Sequence, residues 1–354
     1  MDGLESANQK RGVLAESANQ KRGILSRMAP AFTLMLLAPL MAEVLPGATR
    51  FSSIFVFPIE MAIWGGGAVM IRELVRRGRL GWGSIVLLAL CLAIAEEFLI
   101  QQTSVAPLVI RIQGVEYGRA LGINYVYLLW AVVYEAVLVV LLPVMLTEML
   151  FPSRRHAPWL TAIGWVVHVL LFALATPLAW YGWTQVARIK VFHQAPYSPP
   201  LAFVVGALAA ILVLGFVALG PLRRAGSPKP LTPPAPTLLA LGGAAWAALW
   251  FGLEVIAFGA LPSLPPAMAV GPGLAVCAAL ATTLPGWSAH SEWSDRHRAW
   301  LIAGTMIATM AIFFLAGFDP VNGATDFWFK AIVDAIATIL FVPLVAKVSR
   351  RPAS

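Results

Sequence analysis

Ten apolar stretches, most of them near the roughly 20 residues a helix needs to cross a bilayer, follow one another along this chain. They cover residues 29–46, 52–71, 82–101, 122–150, 158–181, 199–220, 236–258, 265–286, 299–317 and 327–347. The runs are continuous rather than alternating, so they read as helices and not as barrel strands. Of the 354 residues, 59% are hydrophobic and 12% charged, against roughly 25% charged in soluble domains. The bilayer is therefore the expected solvent. Proline or glycine punctuates most boundaries, among them Pro46, Gly81, Pro152, Pro158, Pro199, Pro221, Pro262 and Pro320. The predicted fold is an all-α polytopic transmembrane bundle.

The net charge of +8 would suggest nucleic acid in a soluble protein, but the positions of the basic residues point elsewhere. With the N-terminus in the cytoplasm, nineteen Lys and Arg fall in inside segments and five, Arg50, Arg111, Arg119, Arg188 and Lys190, fall outside; Lys330 lies within a span. This is the positive-inside pattern. It predicts an even number of spans, both termini cytoplasmic, in the plasma membrane, with no role in nucleic-acid binding. Cys91 and Cys277 lie within apolar spans and show neither disulfide nor metal spacing.

The spans divide the chain into a polar leader (1–28), a first membrane part (29–220), a Pro-rich basic linker (221–235), a second membrane part (236–347) and a basic tail (348–354). In the leader, residues 5–12 recur as residues 16–23, which reads as a local duplication. The parts hold six and four spans, which argues against a two-fold transporter repeat. Within the outside loop 103–121, residues 105–113 are too short to span and are expected to be re-entrant or interfacial. Trp82, Tyr125, Tyr127, Trp159, Trp180, Tyr181, Trp183, Trp300 and Trp328 lie near span ends and read as an interfacial belt.

Charge inside the spans is costly, about 2.5–3.5 kcal/mol per group on insertion scales. Yet Glu43, Glu60, Glu96, Glu97, Glu135, Glu254 and Asp334 all fall there, with His168 and Lys330. Counting about 1.5 Å per residue from the cytoplasmic ends places the acids roughly 17–27 Å deep, on six helices, and His168 at about 15 Å. The expectation is a shared polar site slightly outward of the midplane. Acids so placed hold protons, bind a cation or pair with bases, and few bases are at hand. Lys330 and Asp334, spaced i, i+4, can pair with each other. Adjacent residues on a helix point about 100° apart, so Glu96 and Glu97 face different neighbours. Gln101, four residues after Glu97, is predicted to donate to it. Pro143 is expected to bend the helix of Glu135, and Pro58 and Gly271–Gly273 to break two others.

Glu96 and Glu97, followed by Phe98, Leu99, Ile100 and Gln101, resemble the first motif, Glu-Glu-x-x-x-Arg, of the CPBP family of membrane proteases, prokaryotic relatives of the CaaX-processing enzymes. Later helices of that family carry Phe-x-x-x-His and His-x-x-x-Asn (or Asp) motifs. The resemblance implies a glutamate, Glu96 or Glu97, that activates water for peptide hydrolysis, with His168 assisting. In this chain Gln101 stands in place of the arginine, Glu135 where a histidine would be wanted, and Phe172 in place of the amide or acid after His168.

The candidate site residues are therefore Glu96, Glu97, Glu135 and His168, with Asp334 in support. Three readings follow: a proton- or cation-coupled transporter or permease, a CPBP-like intramembrane hydrolase, and a non-catalytic membrane scaffold. The expected partners are the lipid bilayer and a small molecule or ion; no cofactor is assigned. Neither a phosphate-cradling loop nor a nucleophile elbow occurs in the sequence.

Overall fold

A computed structural model describes residues 28–224, 228–315 and 323–349. The leader with its duplication lies, apart from Met28, outside the described residues, as do residues 350–354 of the tail. The described residues fold as an all-α bundle of α1 (Met28–Val44), α2 (Phe51–Arg77), α3 (Trp82–Ile100), α4 (Tyr125–Leu150), α5 (Ala162–Lys190), α6 (Leu201–Arg224), α7 (Pro236–Ala257) and α8 (Pro266–Ala289), then α9 (Asp295–Leu315) and α10 (Gly323–Ser349). Each predicted stretch overlaps one of these helices. Eight, α2 to α8 and α10, are long and apolar enough to cross a membrane, and α1 is a shorter apolar helix. By these helices the chain is a multi-pass membrane protein. The outward faces of α5 and α6 are apolar, with Ile163, Leu201, Leu212 and Phe216 largely exposed, as a bilayer-facing surface requires.

Small residues set the closest packing, as is usual where lipid offers no hydrophobic drive between helices. A Cβ on Gly65 of α2 would lie 2.1 Å from the Met35 carbonyl oxygen of α1, and one on Gly304 of α9 would lie 1.9 Å from that of Ala240 in α7. Two hydrogen bonds tie α3 to α6: Ser84 Oγ donates to the Ala218 carbonyl at 2.7 Å and Cys91 Sγ to that of Ile211 at 3.5 Å.

Five helices widen locally into π turns, in which an amide reaches the carbonyl five residues back. These are Leu40–Val44, Met61–Gly65, Glu96–Ile100, Ala136–Leu141 and Gly182–Ala187. The turn before Pro143 lies where the proline ring would otherwise crowd the preceding turn. The one in α5 carries that helix past the predicted end at residue 181, so Arg188 ends up on a helix, with its guanidinium on the Pro107 and Ala195 carbonyls. Gly271–Gly273 does not break α8, which runs through Pro272. Gly273 instead admits Leu129 of α4, whose Cδ2 would lie 2.8 Å from a Cβ there.

At the end of the bundle predicted to face the cytoplasm, α2 runs six residues beyond its expected stretch because its charges find partners. Arg72 and Glu73 are fully buried. Arg72 donates to Glu148 of α4 at 3.1 Å and to the Ala157 carbonyl at 2.8 Å, with its guanidinium 3.5 Å above the Trp159 ring. Arg76 grips the same Glu148 through two bonds of 2.8 Å. Glu73 accepts from the amides of Trp159 at 2.9 Å and Leu160 at 3.2 Å. Arg155 and Arg298 both bind Asp295 at the start of α9. Trp159 is thus wholly buried under an arginine rather than placed in an interfacial belt.

Candidate functional site

The π turns and the acids coincide. Glu43 lies within the first turn, Glu60 and Glu135 immediately precede the second and fourth, and Glu96 opens the third. Each turn adds a residue and redirects the side chains beside it, and the acids of four helices converge. Glu43 lies near enough to feel the charges of Glu60, Glu96 and Glu254, and Glu96 those of Glu97 and Glu60. The carboxyls of Glu97 and Glu135 lie within hydrogen-bonding reach of each other. A hydrogen bond between two carboxyls requires a proton between the oxygens. Six glutamates from α1, α2, α3, α4 and α7 thus form one layer. Among the described residues none of the six is in an ion pair.

Hydroxyls rather than bases address this layer. Thr49 donates to Glu60 Oε1 at 2.5 Å. Thr103 donates to Glu97 Oε1 at 3.0 Å and Ser104 to Glu97 Oε2 at 2.5 Å. Tyr134 Oη reaches the Ala42 carbonyl at 2.6 Å, fixing α4 against α1 beside Glu43. Trp250 of α7 donates to the Trp130 carbonyl of α4 at 2.9 Å and brings Glu254 to the layer. Trp130 stacks on Tyr134 and contacts Tyr127. Tyr127 is buried next to Glu97, Glu254 and Glu135, so it belongs to the site and not to the predicted belt.

Thr103 and Ser104 sit in a non-helical segment that folds back against the helices, with residues 102–106 all buried. Irregular backbone at such a place needs internal partners. Arg119 supplies some, bonding the carbonyls of Val105, at 3.0 Å, and of Ala106. Asn124 donates its amide to the Ser104 carbonyl at 2.9 Å. Two short strands, Arg119–Ala120 and Ile123–Asn124, close the loop.

Glu96 is 1% exposed and both its oxygens lack a hydrogen-bond partner; Glu60 Oε2 and Glu135 Oε2 are also buried and unpartnered. Glu43, Glu135 and Glu254 keep some accessible surface.

Gln101 comes out differently from expectation, Asp334 makes the pair its spacing allows, and His168 turns to its own helix. Gln101 does not supply Glu97's hydrogen bonds, because the π turn replaces four-residue spacing with five: the amide of Gln101 binds the Glu96 carbonyl at 2.9 Å, and the two hydroxyls occupy Glu97. Asp334 pairs with Lys330, one turn away. His168 is buried on α5 with Nδ1 on the Gly164 carbonyl at 2.8 Å and Nε2 unpartnered; its observed bond ties it to its own helix and not to the glutamates. Sequence reasoning missed Thr49, Thr103, Ser104 and Tyr134. The usable signal was hydroxyl residues just beyond the ends of acid-bearing spans, and a tyrosine beside Glu135.

No family model, curated protein or solved structure matches this chain.

Proposed function

We propose that this protein is a membrane carrier coupled to protons or cations, with the six-glutamate layer as its coupling site. The observation that supports it most is the facing carboxyl pair Glu97–Glu135, brought together from two helices with no basic side chain paired to it among the described residues. Intramembrane acids facing the inside of a bundle commonly serve as proton relays and ion sites. A shared proton can be given up when a cation takes its place, and Glu96, with two free buried oxygens, stands ready to receive either. The plasma membrane, with both termini inside, is the setting that the distribution of basic residues favours.

The test is flux in liposomes holding the purified protein under an imposed pH gradient, read by a trapped pH-sensitive dye. Glu97→Gln and Glu135→Gln should each abolish protein-dependent proton movement. Movement at the wild-type rate in both variants would sink the proposal. The hydrolase reading uses the same buried Glu96 as base with His168 assisting. It predicts cleavage of a membrane-spanning peptide by the wild type, lost in Glu96→Gln.

A further inference from the structure

α5 begins beside the arginine clamp and runs 29 residues to Lys190, at the opposite end of the bundle. There the buried guanidinium of Arg188 holds two loops together, through the Pro107 carbonyl at 3.0 Å and the Ala195 carbonyl at 3.2 Å. Arg111 and Arg119 both pair with Glu116, and Arg188 lies near enough to feel the charges of all three. Three of the five basic residues that the positive-inside pattern leaves outside thus gather around the acid Glu116, with positive charge in excess. Arg188 Nη2 and Arg111 Nη1 have no hydrogen-bond partner among the described residues.

An apolar groove of about 580 Å³, open to one side, lies between α3, α4, α6 and α8, and Ile123, Phe203 and Gly206 are in its lining. Two contacts join it to the arginines. Arg119 Nη1 donates to the Gly122 carbonyl at 2.8 Å, beside Ile123, and a Cβ on Gly122 would lie 2.8 Å from Cζ of Phe203. From Tyr125 to Val133 the lining follows α4 for about 12 Å at the helical rise, close to the roughly 15 Å of hydrocarbon in one leaflet.

We infer that this end of the bundle holds an anionic phospholipid, with one acyl chain in the groove and its phosphate on Arg111 and Arg188. The site is separate from the glutamate layer and stands whether or not that layer couples transport. Charge complementarity selects the head: guanidinium N–H groups fit phosphate oxygens, and basic pockets between spanning helices take acidic lipid heads. A zwitterionic lipid would bring its own cation into the positive cluster, a cationic amphiphile would be repelled, and a free anion would make no use of the groove. Gly206 gives the chain a handle of its own. A Cβ built there meets nothing within 4 Å, so a larger side chain can fill the groove without displacing a helix.

The experiment is native mass spectrometry of the full-length protein, delipidated in detergent and titrated with lipid, which counts bound copies. The probes are dioleoylphosphatidylglycerol, dioleoylphosphatidylcholine with the same chains, and glycerol 3-phosphate with none. Phosphatidylglycerol should bind saturably as one copy, at least about tenfold more tightly than phosphatidylcholine, and glycerol 3-phosphate at the same concentration should not displace it. Arg111→Gln leaves Glu116 its bond to Arg119 and should weaken phosphatidylglycerol about tenfold. Arg50→Gln removes the same charge from a residue whose guanidinium bonds the Gly47 carbonyl, outside the cluster, and should leave affinity unchanged. Gly206→Leu should weaken binding about tenfold with an unaltered melting temperature, and it decides the matter if Arg111→Gln fails to fold. Equal binding of the two phospholipids, equal losses in Arg111→Gln and Arg50→Gln, or wild-type affinity in Gly206→Leu would each overturn the inference. Displacement by glycerol 3-phosphate would overturn it too, in favour of a soluble anion.

Discussion

Glu97 has both oxygens held by hydroxyls from the segment that follows its own helix, Thr103 at 3.0 Å and Ser104 at 2.5 Å. Removing a hydroxyl leaves a buried acceptor unmet, at a cost of about 1–3 kcal/mol. Ser104→Ala is expected to lower the melting temperature of the detergent-purified protein modestly and to slow proton movement in liposomes several-fold. The same variant with wild-type flux would separate the hydroxyl from the function. A second residue-scale prediction concerns Arg72. Its guanidinium serves Glu148, a tryptophan ring and backbone carbonyls at once. Arg72→Met takes away one of the two arginines on Glu148 and leaves buried carbonyls unmet, and should cost about 1–3 kcal/mol, as loss of a buried hydrogen-bond partner does, read as a clear fall in thermal stability. The acids of the layer were legible in the sequence because charge inside an apolar run stands out and depth can be counted. The hydroxyls were not, since Thr103 and Ser104 lie in a loop with no periodicity, and the arginine clamp read only as positive-inside charge.

Helices as elements were legible nearly throughout, because long apolar runs leave few alternatives in a bilayer. The π turns were not. One extra residue per turn changes neither apolarity nor composition, yet it decided that Gln101 would not serve Glu97 and that α5 would reach Lys190. Helix contact is equally a matter of single atoms. Gly304 and Gly215 both lie inside apolar helices, but a Cβ on the first would strike the Ala240 carbonyl at 1.9 Å while one on the second meets nothing. Gly304→Ala should therefore cost about 1–3 kcal/mol by forcing α9 from α7. Gly215→Ala should leave stability unchanged or raise it by up to about 1 kcal/mol. Equal melting temperatures for the two variants would contradict this account of the α7–α9 contact.

For the whole molecule, the clamp gathers Arg72, Arg76, Arg154, Arg155, Glu148 and Asp295 at one end, and Arg111, Arg119 and Glu116 meet in another network. With the first end taken as cytoplasmic, a membrane-impermeant thiol reagent applied to intact cells should label Val115→Cys and leave Lys229→Cys untouched until the cells are opened. Both are built in a Cys91→Ala, Cys277→Ala background. The reverse pattern would invert the orientation. The division at the Pro-rich linker was legible as composition, but its meaning was not. α7, the first helix beyond it, packs on α4 through Trp250 and Trp130, and Asp295 binds Arg155 of the first part.

That α7 contact bears on how the protein is made. The ribosome delivers α1 to α4 first, and with them five glutamates already committed to hydrocarbon. Glu254, and Trp250 that bonds to Trp130 of α4, arrive only after the linker has emerged. Until then the nascent chain carries an acid-lined seam with one wall missing, the kind of intermediate that insertion factors shield and membrane proteases remove. Joining of α7 thus completes the layer late in synthesis, after the first six helices.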